Sequence, residues 1–233
     1  MAVLTISLIE KKGTICMATI VLILGPSASG KSTSMRNFAH DELALINVNK
    51  KPLPFKGKFD STLETTDYEQ IEKAILSTKK KSIMVDDAGY LITHQFMSGH
   101  RENKGNAVFE LYNDLADNFY KLIKFCQTRV DDNKIVYFTM HVDKNDFGES
   151  KPKTIGKLLD EKVCIEGLFT IVLTAERRDD GEYIFRTKTN GSDVSKSPID
   201  MFESEEIPND LRAIDQTIRN YYGLASLVDK DKQ

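Results

Sequence analysis

The sequence predicts an α/β fold: a mainly parallel sheet with helices on both faces and an antiparallel hairpin at one edge. Three observations carry this. Short β-branched runs alternate with amphipathic stretches over 233 residues, the pattern of strand–helix–strand units. The run Thr19 to Leu24 (TIVLIL) is continuously apolar, as a strand buried on both faces must be. The chain is 40% apolar and 29% charged, and it is long enough to bury a full core without disulfide or metal staples. Its 32 basic and 35 acidic residues leave a formal charge of −3. That excludes a polybasic nucleic-acid coat while leaving room for a local basic groove.

Taken in order, residues 1–16 read as an N-terminal extension, either non-native or an extra strand. Their apolar run, Val3 to Ile9, precedes Lys11 and Lys12 and is too short for a secretory signal. A single domain is expected over 17–225, with a disordered tail over 226–233. Strands are expected at Thr19–Leu24, Leu43–Val48, Ser82–Val85, Ile135–Met140, Leu168–Ala175 and Tyr183–Thr187. The last two flank Asp179-Asp180-Gly181, a hairpin turn signal. Helical stretches are expected after Thr33 to about Ala39, from an Asp67 cap to about Leu76, over Ala107–Thr128, and over Pro208–Tyr222 with a cap near Asp210. Ala88–Asn106 reads as a switch-type loop with a partial helix, and Val142–Thr154 as a mobile loop.

Cys16, Cys126 and Cys164 are odd in number and widely spaced, so a reducing cytoplasm is the natural expectation. No stretch approaches the roughly 20 apolar residues of a membrane span, and no membrane partner is expected. His40, His94, His100 and His141 match no zinc-ligand spacing.

The chemistry concentrates at Gly25-x-x-x-x-Gly30-Lys31-Ser32, which matches the P-loop pattern in full. Glycines let the backbone curl so that successive N–H groups face phosphate oxygens. The whole segment Gly25, Pro26, Ser27, Ala28, Ser29, Gly30, Lys31, Ser32 and Thr33 is therefore the expected cradle for ATP. Lys31 is expected to reach the β- and γ-phosphates, and Ser32 to place its hydroxyl on Mg²⁺. The metal's second partner should be an acid ending a buried strand, and Ile83-Met84-Val85-Asp86-Asp87 fits. Asp86 is expected to hold Mg²⁺ through water, and Asp87 to polarise the attacking water. At the end of the next strand, Thr139-Met140-His141 offers His141 as a γ-phosphate sensor. Lys144, Lys151 and Lys153, with Arg101 and Lys104, are candidate contacts to single-stranded DNA phosphates.

Several segments together resemble the RecA-like P-loop ATPases of bacteriophages, the group that includes ATP-dependent single-strand annealing proteins. They are GPSASGKST, Lys51-Pro52-Leu53-Pro54-Phe55, SIMVDDAGYL (Ser82 to Leu91), Thr139-Met140-His141, Ile155 to Asp160, Thr189-Asn190-Gly191, Lys196-Ser197-Pro198 and Glu205 to Tyr222. The resemblance runs over nearly all of residues 17–222. It implies a RecA-type core, ATP with Mg²⁺, action on single-stranded DNA in phage recombination or replication, and a homo-oligomeric ring or filament in the host cytoplasm. A phage single-strand-binding or replication protein is an implied partner. One departure stands out. Where such ATPases carry a catalytic Glu, this chain reads Asn47-Val48-Asn49-Lys50. Asp87 and Glu64 are the substitutes, and hydrolysis is expected to be slow or DNA-stimulated. Arg186, Lys188 and Lys196 are candidates to complete a neighbouring subunit's site.

Two other classes stay open. One is a small-molecule kinase acting on nucleosides or nucleotides. Such an enzyme needs clustered arginines around the transferred phosphate, and this chain has eight, of which only Arg177 and Arg178 are adjacent. The other is a nucleotide-dependent loader or regulator with little turnover.

Overall fold

Among the residues described by the computed structural model (17–101, 105, 107–144 and 148–227), ten strands form two sheets. The expected extension over 1–16, Lys104, and the tail beyond 227 lie outside the described residues.

The large sheet contains β1 (Thr19–Leu24), β2 (Leu43–Asn47), β3 (Ser61–Leu63), β4 (Ser82–Asp86), β5 (Ile135–Met140), β8 (Ile171–Arg177), β9 (Tyr183–Arg186) and β10 (Glu206–Pro208). Their order is β10-β9-β8-β1-β5-β4-β2-β3. The pairs of β1 with β5 and β8, of β4 with β5 and β2, and of β2 with β3 are parallel. β9 and β10 complete one edge antiparallel. A small antiparallel ribbon, β6 (Val142–Lys144) with β7 (Ser150–Pro152), stands apart.

Alternation along the strands divides the core. Ile20, Leu22 and Leu24 face one layer, while Val21 and Ile23 face the other, as the period of two requires. The first layer is covered by α1 (Tyr68–Ser77), α2 (Gly89–Gly99) and α3 (Ala107–Arg129). The second is covered by a 3-10 turn at Thr33–Asn37, by Phe55 and Phe59, and by α4 (Leu211–Tyr222). In α3, Leu111, Leu115, Phe119, Leu122 and Cys126 form the buried stripe, at the spacing of one helical face.

The caps follow from sequence. Asp67 accepts from Gln70 N at 2.9 Å, and Asp210 accepts from Arg212 N and Ala213 N. Gly223 ends α4 at φ 67°, a conformation that suits glycine. Asp210 also accepts from Asn37 Nδ2 at 2.7 Å. Asp210→Ala is expected to lower stability by about 1 kcal/mol, seen as a lower urea midpoint with an unchanged slope.

At the amino ends of β4 and β5 sits a fully buried ion pair, Asp215 with Arg219 of α4 (Nε to Oδ1, 2.6 Å). Asp215 Oδ2 also accepts from Ser82 Oγ and Tyr137 OH, at 2.5 and 2.8 Å. The guanidinium donates further to the carbonyls of Asn133, Ala225 and Lys81 and to Ser82 Oγ. Burial pushes the Asp215 carboxyl up, against the pull of Arg219.

Four expectations are corrected. The segment after the P-loop is a five-residue 3-10 turn, not a helix to Ala39. Met35 and Phe38 sink into the core there, and Phe38 turns extended. Ala88–Asn106 is more helical than a switch loop: α2 spans eleven residues and buries Leu91 and Ile92. Val142–Thr154 carries a strand pair, closed by Lys153 N donating to His141 O at 2.8 Å. Ser226, the first residue of the expected tail, is anchored, because Lys81 Nζ donates to its carbonyl at 2.7 Å.

Candidate functional site

The carboxyl ends of β1, β2, β4 and β5 gather one cleft, as parallel sheets do. Its volume is about 220 Å³. Its wall is the P-loop from Ser27 to Thr33, faced by Lys51 to Pro54, by Asp86 and Asp87, and by His141.

The loop's shape depends on its glycines. A Cβ at Gly25 would meet Ser29 Oγ at 2.4 Å and Ala175 O at 2.7 Å. Gly30 lies at φ 94°, and a Cβ there would meet Tyr183 Cδ1 at 2.7 Å. Ala28, at φ 62°, adds a second left-handed residue, and such alternation builds an anion-binding concavity. Ser29 Oγ is buried without a hydrogen-bond partner. Lys31 is folded back onto the loop, donating to Gly25 O and Pro26 O, each at 2.7 Å. Burial lowers its pKa to about 8, although Asp87 and Asp86 pull upward.

Asp86 and Asp87 occupy different environments. Asp86 is buried and accepts from Ser32 Oγ on both oxygens at 2.9 Å, and from Thr139 Oγ1 at 2.8 Å. Burial pushes its carboxyl up, and Asp87 pushes it further. Asp87 sits at φ 58°, a strained conformation that Asp and Asn tolerate best. Its N–H donates to Thr139 Oγ1 at 2.6 Å, so one hydroxyl fixes both acids. Its carboxylate accepts from Asn49 Nδ2 at 2.6 Å and pairs with Lys51 Nζ at 3.4 Å, and His141 Nε2 lies 3.8 Å away. His94 Nε2 lies 3.1 Å from Asn49 Oδ1. Burial and the nearby Lys31 ammonium lower the pKa of His141, which keeps it neutral near pH 7.

This donor set fits a nucleotide with a divalent cation. Ser32 and Asp86 offer hard oxygen atoms beside a phosphate cradle. The buried Asp86, crowded by a second carboxylate, is short of positive charge. Among the described residues no cluster of three His, Cys, Asp or Glu side chains forms a protein-only metal cage. A Mg²⁺ held by one or two protein oxygens and substrate phosphates needs none.

Other candidates fall elsewhere. Glu64 is exposed just past edge strand β3 and does not line the cleft. Arg186 is engaged within its own chain by Glu176, Glu206 and Asp193. Lys188 is exposed beyond β9, and Lys196 bridges Val172 at the far end of β8. Arg101 is exposed after α2. Lys144 and Lys151 lie on opposite faces of the small ribbon, because Lys144 faces Ser150 while Lys151 pairs with Asp143. With Lys153 just beyond, they make no single basic face. The partners of Asp87, Asn49 and Lys51, are the site residues that sequence reading missed. Their one signal was a polar stretch after a strand in place of the expected Glu.

Compared with protein-family models and with curated protein sequences, the chain matches none. What is established is an α/β architecture with a mostly parallel mixed sheet, compatible with a P-loop or Rossmann-like fold.

Proposed function

We propose that this chain is a Mg²⁺-dependent, RecA-like P-loop ATPase that acts on single-stranded DNA in phage recombination or replication, as an annealing or recombinase-like protein. The observation that carries the ATPase reading is the split of two adjacent acids. Asp86 is tied to the P-loop serine, and Asp87 is turned into the cleft by a left-handed backbone. The DNA and phage parts rest on the sequence resemblance.

Bound Mg²⁺ would offset phosphate charge and orient the reacting oxygens, held by Ser32 and Asp86. Lys31 leaves the Gly25 and Pro26 carbonyls for the phosphate oxygens. Asp87 takes the proton of the attacking water, and Asn49 and Lys51 fix its carboxylate. Neutral His141 stands beside Asp87 to meet the terminal phosphate. Among the described residues no arginine lines the cleft, which favours water over a phosphate acceptor as the attacking partner.

Product-resolved turnover with and without single-stranded DNA tests this reading. ADP and free phosphate, stimulated by DNA, support it. Phosphate moved to a nucleoside or nucleotide identifies a kinase, and tight ATP binding without turnover identifies a loader or regulator. Asp87→Asn keeps the left-handed preference, so the fold should persist. It is expected to lower turnover by about 10²–10⁴-fold while leaving ATP affinity close to wild type. Equal loss of binding and turnover would remove Asp87 from the role of base.

A further inference from the structure

A second cavity, of about 420 Å³, adjoins the phosphate cleft. Ser27, Asp87 and His141 line both, so a ligand in one cavity shares walls with a ligand in the other. Its volume falls in the range of small-molecule sites, about 300–1,000 Å³. None of the chemistry assigned to the phosphate cleft uses it.

Its lining has three parts. Met140, Val142 and Ile155 supply an apolar wall. Tyr90 and Thr93 of α2 supply an aromatic ring and a hydroxyl. Lys153, exposed at the rim, supplies a cation. The Lys153 N–H is bonded to His141 O, so the rim lysine is tethered to the shared wall. The Tyr90 ring stands edge-on to His141 at 5.7 Å, with Lys51 Nζ 5.2 Å from its centroid. Tyr90 therefore touches the residues that hold Asp87. A slot lined by apolar and aromatic side chains and Thr93, with the Asp87 carboxylate at the wall shared with the first cleft and one cation at the rim, suits a flat heterocycle carrying a single phosphate.

We propose that this cavity binds one nucleotide unit, base inward and phosphate toward Lys153, beside the terminal phosphate of ATP. Its occupancy reaches the catalytic end through Tyr90, His141 and Asp87. This rests on the nucleotide reading of the P-loop cleft. A free mononucleotide and a single residue of single-stranded DNA present the same chemistry.

The probe is 2-aminopurine, as the free nucleoside monophosphate and within a short oligonucleotide, with ATP binding followed separately. Saturable quenching of either probe is expected. It should weaken about tenfold in Thr93→Trp, which fills the cavity, with ATP affinity unchanged. Lys153→Glu, an exposed change that leaves folding intact, should also weaken the probe and flatten its salt dependence by about one phosphate contact. Response to the oligonucleotide alone assigns the cavity to a DNA strand. Response to the mononucleotide, with phosphate transferred to it, assigns it to a phosphoryl acceptor. Absence of quenching, or quenching indifferent to both substitutions, overturns the proposal while ATP binding still stands. Loss of ATP binding in the wild type would instead overturn the reading of the P-loop itself.

Discussion

Lys31→Ala is expected to reduce ATP turnover by about 10²–10³-fold, the usual cost of removing one preorganised donor from developing phosphate charge. The side chain is held 2.7 Å from two loop carbonyls, so the variant also removes the donor that both acceptors now share. Product-resolved assays should show the loss with or without DNA. The same lysine makes a signed pH prediction. Its pKa in the free protein is lowered to about 8 by burial, and a bound triphosphate raises it again. Below that value the amine is already charged, and binding takes up no proton there. Above it, uptake grows toward one proton per ATP, measurable by calorimetry in buffers of different ionisation enthalpy. Lys31→Ala should abolish the uptake. Uptake that is independent of pH, or that persists in the variant, would assign the proton to another group. Stability of the free chain follows the same linkage. Between about pH 8 and the ordinary lysine value of 10.5, the unfolded chain binds more protons, and this group's contribution to stability rises with pH.

The largest stability effect belongs to Asp215. Asp215→Ala is expected to cost about 3–5 kcal/mol, because it strands a buried guanidinium without its counter-charge. The surrounding bonds make the case specific. All five guanidinium donors of Arg219 have an acceptor: Asp215, Ser82 and three backbone carbonyls. Removing the carboxylate also leaves the hydroxyls of Ser82 and Tyr137 without their acceptor. Chemical denaturation should show the midpoint fall with the slope retained. The paired change Asp215→Leu with Arg219→Met removes the stranded charge and should recover part of the loss, the remainder being the cost of the hydroxyls and carbonyls left without partners. A double variant no better than the single would mean that the pair is worth more than its desolvation.

The elements with strict spacing were legible in the sequence. TIVLIL, the glycine-lysine-serine spacing and the DD ending of SIMVDD each encode a local geometry, and the structure brings all three to one cleft. Contacts that depend on strand order were not legible. Asn49 and Lys51 meet Asp87 only because β2 pairs with β4, and Thr139 meets both acids only because β5 lies between β1 and β4. Nothing in the local sequence sets that order. α2 was legible only as a partial helix because its residues are apolar on more than one side, which hides the helical period. Asp215 and Arg219 drew no notice, because an i,i+4 ion pair is the ordinary pattern of a solvated helix face. Only the packing of α4 against the amino ends of β4 and β5 turns that pair inward.

The position of that ion pair has a mechanical consequence. Arg219 clamps the backbone at Lys81 and Asn133, where β4 and β5 begin, and at Ala225, just past α4. The phosphate cleft lies at the opposite end of the same strands, surrounded by loops. The molecule therefore has a fixed heel and a compliant toe. Were the cleft to take the proposed nucleotide, adjustment would fall to the segments following β2 and β5 rather than to the heel. A truncation after Tyr222 would remove the Ala225 carbonyl held by Arg219 and the Ser226 carbonyl held by Lys81, so it should loosen the heel before it altered the cleft.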